Sequence, residues 1–388
     1  MGRMDFIKNL RPLSDQESVR LNCIEGTVNK KRFKLIKRLL KQKKISIDMI
    51  RLKTSFFEAV EFPHIKALVK SVDASDVNKD IRKDIEKRLF EDFSKKVFSA
   101  ISGCIAPNIQ GMEHIKKAAT LQLFSIQPIH ILLLGDPSVG KTDILRAAFT
   151  LSPISSFGLG SGTSGAGLAV AVKGKDIRKG LLPLADKGIC AIDELNLMKN
   201  EDLAALYNAM EKGFVSYDKG GNHYRFDARV KVLATANPEG DSFKANNIEE
   251  LKKQMPFDPA LLTRFHLTYI IKKPSTKEFK KITEKIISDE KNELSQDDID
   301  FIKSYVKYTN KIEKVEFPKE MQKKAIDFID NIKKNEDKYV IDVSPRLVIG
   351  FMRLCKALAK MEARTRVEEK DVERVKDVLL NSLIIKEA

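Results

Sequence analysis

Apolar and polar positions change period twice along the chain, and the changes divide it into three parts. In residues 1–95, apolar and basic positions recur at helical spacing, with Phe33, Ile36 and Leu40 on one side of KKRFKLIKRLLKQKK, which predicts a small helical region. Over 96–273 the runs IHILLLG, GICAID, FVSY, VKVLATA and HLTYII are separated by turns and amphipathic segments. That pattern predicts an α/β fold, a largely parallel sheet covered by helices. Helical spacing returns over 274–388. Its best-defined helix begins at SPRLVIGFMRLCKALAKM, where Ser344 is placed to cap and Pro345 suits the first turn. Leu347, Phe351, Leu354, Leu358 and Met361 then form one apolar stripe, which reads as core packing.

Composition refines this picture without redrawing it. With 388 residues, 43% of them apolar, the chain has material for two or three domains and a sizeable core. The formal charge of +16 favours polyanionic partners such as nucleic acid. From Thr27 to Ile47 there are nine Lys or Arg and no acidic residue, a dense positive face that suits either DNA or plain solvation. Cys23, Cys104, Cys190 and Cys355 stand too far apart for a zinc knuckle or a disulfide framework, which fits a reducing cytoplasm. Cys190 reads as a core residue. The uncharged stretch Ala147–Val172 carries five glycines, so it reads as loop and hairpin rather than a membrane span.

The chemistry concentrates in three places. Gly135, Asp136, Pro137, Ser138, Val139, Gly140, Lys141 and Thr142 spell GDPSVGKT, which matches G-x-x-x-x-G-K-[ST] between an apolar strand and the helix-like DILRAAF. Glycines let backbone amides close around phosphate oxygens, and the following helix turns its positive end to the same anion. Lys141 then reaches the β- and γ-phosphates of ATP, and Thr142 offers a hydroxyl to Mg²⁺. Some fifty residues on, GICAIDEL ends a strand in two acids. Asp193 is placed to hold the metal and Glu194 to polarise the attacking water, which makes the expected activity ATP hydrolysis. A third strand, VKVLATANP, ends in Asn237, whose amide can hold the water or sense the γ-phosphate. Separately, FVSY, DKGG and HYRF read as strand, glycine turn and strand, with Lys219 at the turn.

These motifs, with IAPNIQGMEHIKKAATLQLF, SGAGLAVAV, LADKGICAIDEL, NAMEKGFVSYDKGG, LLTRF and SPRLVIGFMRL, resemble the minichromosome maintenance (MCM) branch of the AAA+ ATPases over about Val97 to Leu383. The resemblance implies an AAA+ P-loop fold with a helical lid over 274–388, and a hexameric ring of like subunits that acts on single- or double-stranded DNA in replication, alongside other replication proteins. It implies that Arg264 is an arginine finger inserted into a neighbour's ATP site and Arg346 the sensor-2 arginine of the lid. It implies that Lys219, on a pre-sensor hairpin, and Lys173 and Lys175, with Arg178 and Lys179 near the tip of a helix-2 insert, contact DNA. Departures accompany the likeness: DELNLM stands where the family has DEFDKM, and Tyr207 and Asn208 replace a usual His-Glu pair. The chain is expected to be a truncated form, without room for an N-terminal oligonucleotide-binding and zinc domain or a C-terminal winged helix. Two other readings remain open, a chelatase-like protein remodeller and a non-hydrolysing accessory subunit of a DNA-bound ring.

Overall fold

The computed structural model describes residues 90–388, apart from 174–175, 220–221, 241, 244–247, 288–293, 341–342, 384–385 and 388. The helical region expected before residue 90, with its basic segment and Cys23, lies outside the described residues. By packing, Val97–Lys291 and Ile302–Ala388 make one compact unit, so the sheet and the lid helices share a core.

The elements in chain order begin with α1 (Val97–Cys104), α2 (Glu113–Phe124), β1 (Ile131–Gly135), α3 (Lys141–Leu151) and β2 (Ser155–Leu159). A small insert follows: α4 (Gly165–Leu168), β3 (Val170–Lys173), β4 (Asp176–Lys179) and α5 (Leu181–Leu184). Next come β5 (Ile189–Asp193), α6 (Leu203–Lys212), β6 (Phe214–Lys219), β7 (Asn222–Asp227), β8 (Lys231–Ala236), α7 (Ile248–Lys253), α8 (Pro259–Leu262) and β9 (Leu267–Lys272). The chain closes with helices α9 (Thr276–Ile287), α10 (Gln296–Thr309), α11 (Lys319–Lys334), α12 (Pro345–Met361) and α13 (Glu369–Leu383), then the two-residue strand β10 (Lys386–Glu387).

The main sheet has six strands in the order β10-β9-β1-β8-β5-β2, every neighbouring pair parallel. Strands β1, β5 and β8 are buried at every position, as continuous apolar runs must be when helices cover both faces. Register brings their carboxyl ends level. Leu134 pairs with Ala236 and Ile192 with Ala234, so Gly135 comes beside Asn237, and Asp193 beside Thr235. Ligands of open parallel sheets bind at that edge.

The FVSY run lies in the strand–turn–strand ribbon that its glycine turn predicts, apart from the main sheet. Among the described residues β6 pairs with β7 alone, from Phe214↔Asp227 to Lys219↔Asn222. Two residues separate the strands, and so short a link favours a local antiparallel ribbon over a place in a parallel sheet. The insert strands β3 and β4 form a second ribbon, from Val170↔Lys179 to Lys173↔Asp176.

In the lid, Leu347, Phe351, Leu354, Leu358 and Met361 are all buried, as their spacing required. Pro345 occupies the first turn of α12. Ser344 stands at the cap position with extended backbone, but its hydroxyl makes no capping bond. The lid is fastened to the sheet by the Tyr269 hydroxyl, which donates to the Val378 carbonyl at 3.1 Å, and within itself by Tyr305 donating to Met361 at 2.6 Å. Cys104, Cys190 and Cys355 are buried, and burial pushes the Cys190 thiol up to about 11. Among the described residues, no helix is long and apolar enough to cross a membrane.

Candidate active site

The phosphate-type loop runs from the end of β1 into α3, and two of its glycines are required for different reasons. A Cβ on Gly135 would lie 2.4 Å from the carbonyl oxygen of Ile271 on the adjacent strand, which no side chain tolerates. Gly140 has φ of +85° at the residue before α3, a left-handed conformation that admits glycine without strain. Asp136 turns its carboxylate inward. Its Oδ1 accepts from the Phe243 amide at 2.7 Å and its Oδ2 from the Lys273 amide at 2.9 Å, so the side chain ties the loop to the segments that follow β8 and β9. What the loop presents to a ligand at this position is backbone.

Lys141, the first residue of α3, is 7% exposed. Its Nζ donates to the carbonyls of Gly135 at 2.7 Å and Asp136 at 2.6 Å, and to Asn237 Oδ1 at 3.0 Å. Burial pulls its pKa down to about 8 against the opposing charges of Asp136, Asp193 and Glu194. Because the Asn237 oxygen faces the ammonium, its NH₂ is the end left to donate to a ligand. The Asn237 backbone N–H is itself held, at 3.0 Å, by Asn196 Oδ1.

Asp193 closes β5 with its carboxylate buried, and accepts from the Thr142 hydroxyl at 3.2 Å and from the Thr235 hydroxyl. The Thr235 oxygen in turn accepts from the Glu194 amide at 3.0 Å. Glu194 stands half-buried at φ +54°, an unfavoured conformation for a non-glycine residue that its amide's bond to the Thr235 oxygen helps to fix. The Thr142 hydroxyl and the Asp193 carboxylate are hard oxygen donors within reach of one another. They fit Mg²⁺, which takes one or two protein oxygens and completes its octahedron with phosphate and water. Thr235 and Asn196 escaped the sequence reading. The available signal was strand parity, which sets Thr235 on the same side of β8 as Asn237.

The two arginines form a separate group. Arg264 stacks on the Tyr207 ring at 4.6 Å, pairs with Glu211 Oε2 at 3.1 Å and donates to the Ala260 carbonyl. Its Nε is buried without an acceptor. Arg346 donates to the Thr263 carbonyl at 3.2 Å; burial lowers its pKa, the neighbouring Arg264 lowers it further, and Glu211 opposes both. Among the described residues, neither guanidinium bonds to residues 135–142 or to Asp193, Glu194 or Asn237. Tyr207, a departure from the family pattern in sequence, is thus the surface on which Arg264 rests.

The ribbons place Lys219 beside a two-residue reversal, opposite Asn222, and Lys173 opposite Asp176. Lys175 lies outside the described residues, as do the side chains of Lys173 and Lys219. Arg178 and Lys179 are exposed on β4.

Comparison with known proteins agrees with this arrangement. Residues 86–290 match the family model described as the MCM P-loop domain, and residues 300–383 match the MCM AAA-lid domain. The chain is 29% identical over 323 residues to the Minichromosome maintenance protein MCM of Saccharolobus solfataricus, covering 77% of this chain and 47% of that protein. It is 32% identical over 330 residues to DNA replication licensing factor MCM4 of Arabidopsis thaliana, covering 76% of this chain and 39% of the relative. A 197-residue stretch is 36% identical to DNA replication licensing factor MCM3 of Entamoeba histolytica, 46% of this chain and 32% of that one. The chain spans less than half the length of these relatives.

Proposed function

The chain belongs to the MCM family, with a P-loop domain that implies nucleotide binding, and from that premise we propose that it is an ATP-driven DNA helicase or translocase of the replication class. It hydrolyses ATP at the interfaces of a ring of like subunits, six in number as in the family. The observation that carries this reading is the division of the catalytic set. One chain presents Lys141, Thr142, Asp193, Glu194 and Asn237 together, and it seats Arg264 and Arg346 together elsewhere, one of them with a buried donor unsatisfied. A neighbour's arginines at this chain's P-loop complete both groups.

Each side chain then has a task. Backbone amides of the loop and the N-terminus of α3 bind the phosphates. Thr142 and Asp193 would hold Mg²⁺, which would supply positive charge to offset that of the phosphates. Lys141 exchanges its loop carbonyls for β- and γ-phosphate oxygens. The Glu194 carboxylate orients a water towards the γ-phosphorus and polarises it, and the Asn237 NH₂ donates to that water or to the γ-phosphate. From the next subunit, Arg264 and Arg346 offset the charge that develops on the leaving oxygens. The β6–β7 ribbon with Lys219 and the β3–β4 ribbon with Lys173 and Lys175 grip DNA phosphates, which gives traction without sequence readout.

ATP turnover measured against single-stranded DNA and salt tests the assignment. Lys219→Ala is expected to lose most of the DNA-dependent increment and to lower the salt slope of DNA binding by about 1. Undiminished stimulation in that variant favours the polypeptide-remodelling reading instead. Wild-type turnover in Glu194→Gln favours a non-hydrolysing ring subunit.

A further inference from the structure

Helix α12 runs along the segment that carries Arg264, and the seam between them has three points of contact. Arg346 donates to the Thr263 carbonyl at 3.2 Å. One turn on, Gly350 packs against His266 so closely that a Cβ there would lie 3.0 Å from the His266 Cβ. At the third point, Arg353 spreads its guanidinium over the lead-in to β1: Nε donates to Gln127 Oε1 at 3.0 Å, Nη1 donates to the Pro128 carbonyl, and Nη1 lies 3.1 Å from His266 Nε2. The other ring nitrogen of His266, Nδ1, faces the His130 amide at 3.0 Å. A neutral imidazole has one donor and one acceptor, so only one of those two ring contacts is a hydrogen bond, and the fixed anchors of Arg353 are Gln127 and Pro128.

Arg353 stands seven positions after Arg346, about two helical turns, which puts both on one face of α12. His266 lies two residues beyond Arg264. Arg353 therefore touches the same short segment that carries the finger, from the helix that carries the second arginine, and pins both to the base of the strand that ends in the P-loop. Among the described residues, its hydrogen-bond contacts are with Gln127, Pro128 and His266 and not with 135–142.

We propose that Arg353 is a positioning residue for the arginine pair: it ties α12 to the 127–130 lead-in, to which His266 is itself held by its amide donating to the His130 carbonyl at 2.9 Å, so that Arg264 and Arg346 meet the neighbouring subunit as one rigid unit. This rests on the reading above that the two arginines act on a neighbour's nucleotide. A planar fork spanning two acceptors suits the task, and a lysine cannot reproduce it.

Mixed rings test it. A Lys141→Ala subunit has a dead P-loop but sound arginines, whereas an Arg264→Ala subunit has the reverse. Alone, Arg353→Ala is expected to lower kcat on the order of 10- to 100-fold through misplacement of groups it holds, while a fluorescent ATP analogue still binds its P-loop. Mixed with Lys141→Ala, Arg353→Ala is expected to recover turnover. Mixed with Arg264→Ala, it is expected to recover none, because neither subunit supplies working arginines. Arg353→Lys, which keeps charge and stem, goes through the same mixtures and decides the matter if the alanine variant does not fold. Recovery with both partners, or with neither, overturns the brace. The mixture of Lys141→Ala with Arg264→Ala probes the premise by itself. No recovery there ends the neighbour reading, whereas recovery there alongside Arg353 variants that match wild-type subunits ends only the brace.

Discussion

Lys141 holds its charge in a buried place, under three oxygen acceptors, and burial brings its pKa to about 8. The free site is therefore partly neutral at mildly alkaline pH. A triphosphate beside the amine restores the usual lysine range, since a close opposite charge favours the protonated form. ATP binding is thus expected to take up protons, negligibly at pH 7 and increasingly between pH 8 and 9. Calorimetry in two buffers of different ionisation heat measures this directly; heats that do not depend on the buffer at pH 8.5 contradict it. Lys141, Thr142, Asp193, Glu194 and Asn237 were legible in the sequence because motif spacing alone fixes their residue types and sheet edge. Asp136 was legible only as a loop member. Its work as a tie depends on amides 107 and 137 residues further on, and no local pattern reveals partners at that distance.

At the scale of elements, α12 shows which sequence signals carried physical force. The apolar stripe is buried throughout, and truncating it at Leu354→Ala is expected to cost about 2–5 kcal/mol, read as a fall in the urea midpoint. Ser344→Ala should cost under about 0.5 kcal/mol, because the hydroxyl makes no capping bond and the change removes nothing the helix uses. A loss near 1 kcal/mol, typical of a working cap, would overturn that assignment. Periodicity predicted the helix and its buried face well, since burial acts on every turn. Composition at the cap predicted position but not bonding. The FVSY run shows the same division of labour: a short apolar run states that a strand exists, and the glycine turn after it names the partner, HYRF, with which it forms a ribbon.

For the whole molecule, several buried bases shape stability. Burial draws Lys231 to about 7, aided by the like charge of Lys360, and draws Lys360 to about 8, the same value that Lys141 reaches. His130 falls to about 3 and His266 to about 2, again chiefly through burial. In each case the unfolded chain binds more protons than the folded one between the two pKa values, so stability rises with pH through that window. The histidines add roughly 1.4 kcal/mol per pH unit each up to their unfolded value of 6.5, and each lysine acts similarly above its folded pKa. Without nucleotide, the urea midpoint is expected to climb from pH 5 to about 9, and a plateau or fall between pH 7 and 9 contradicts it. The seat of Arg264 has a consequence for the lone chain. A half-exposed ion pair and a ring contact together hold that guanidinium by about 1–2 kcal/mol. Any anion that draws it away must offer more than this threshold, so weak, solvated anions leave the latch shut and a multiply charged, well-placed group opens it.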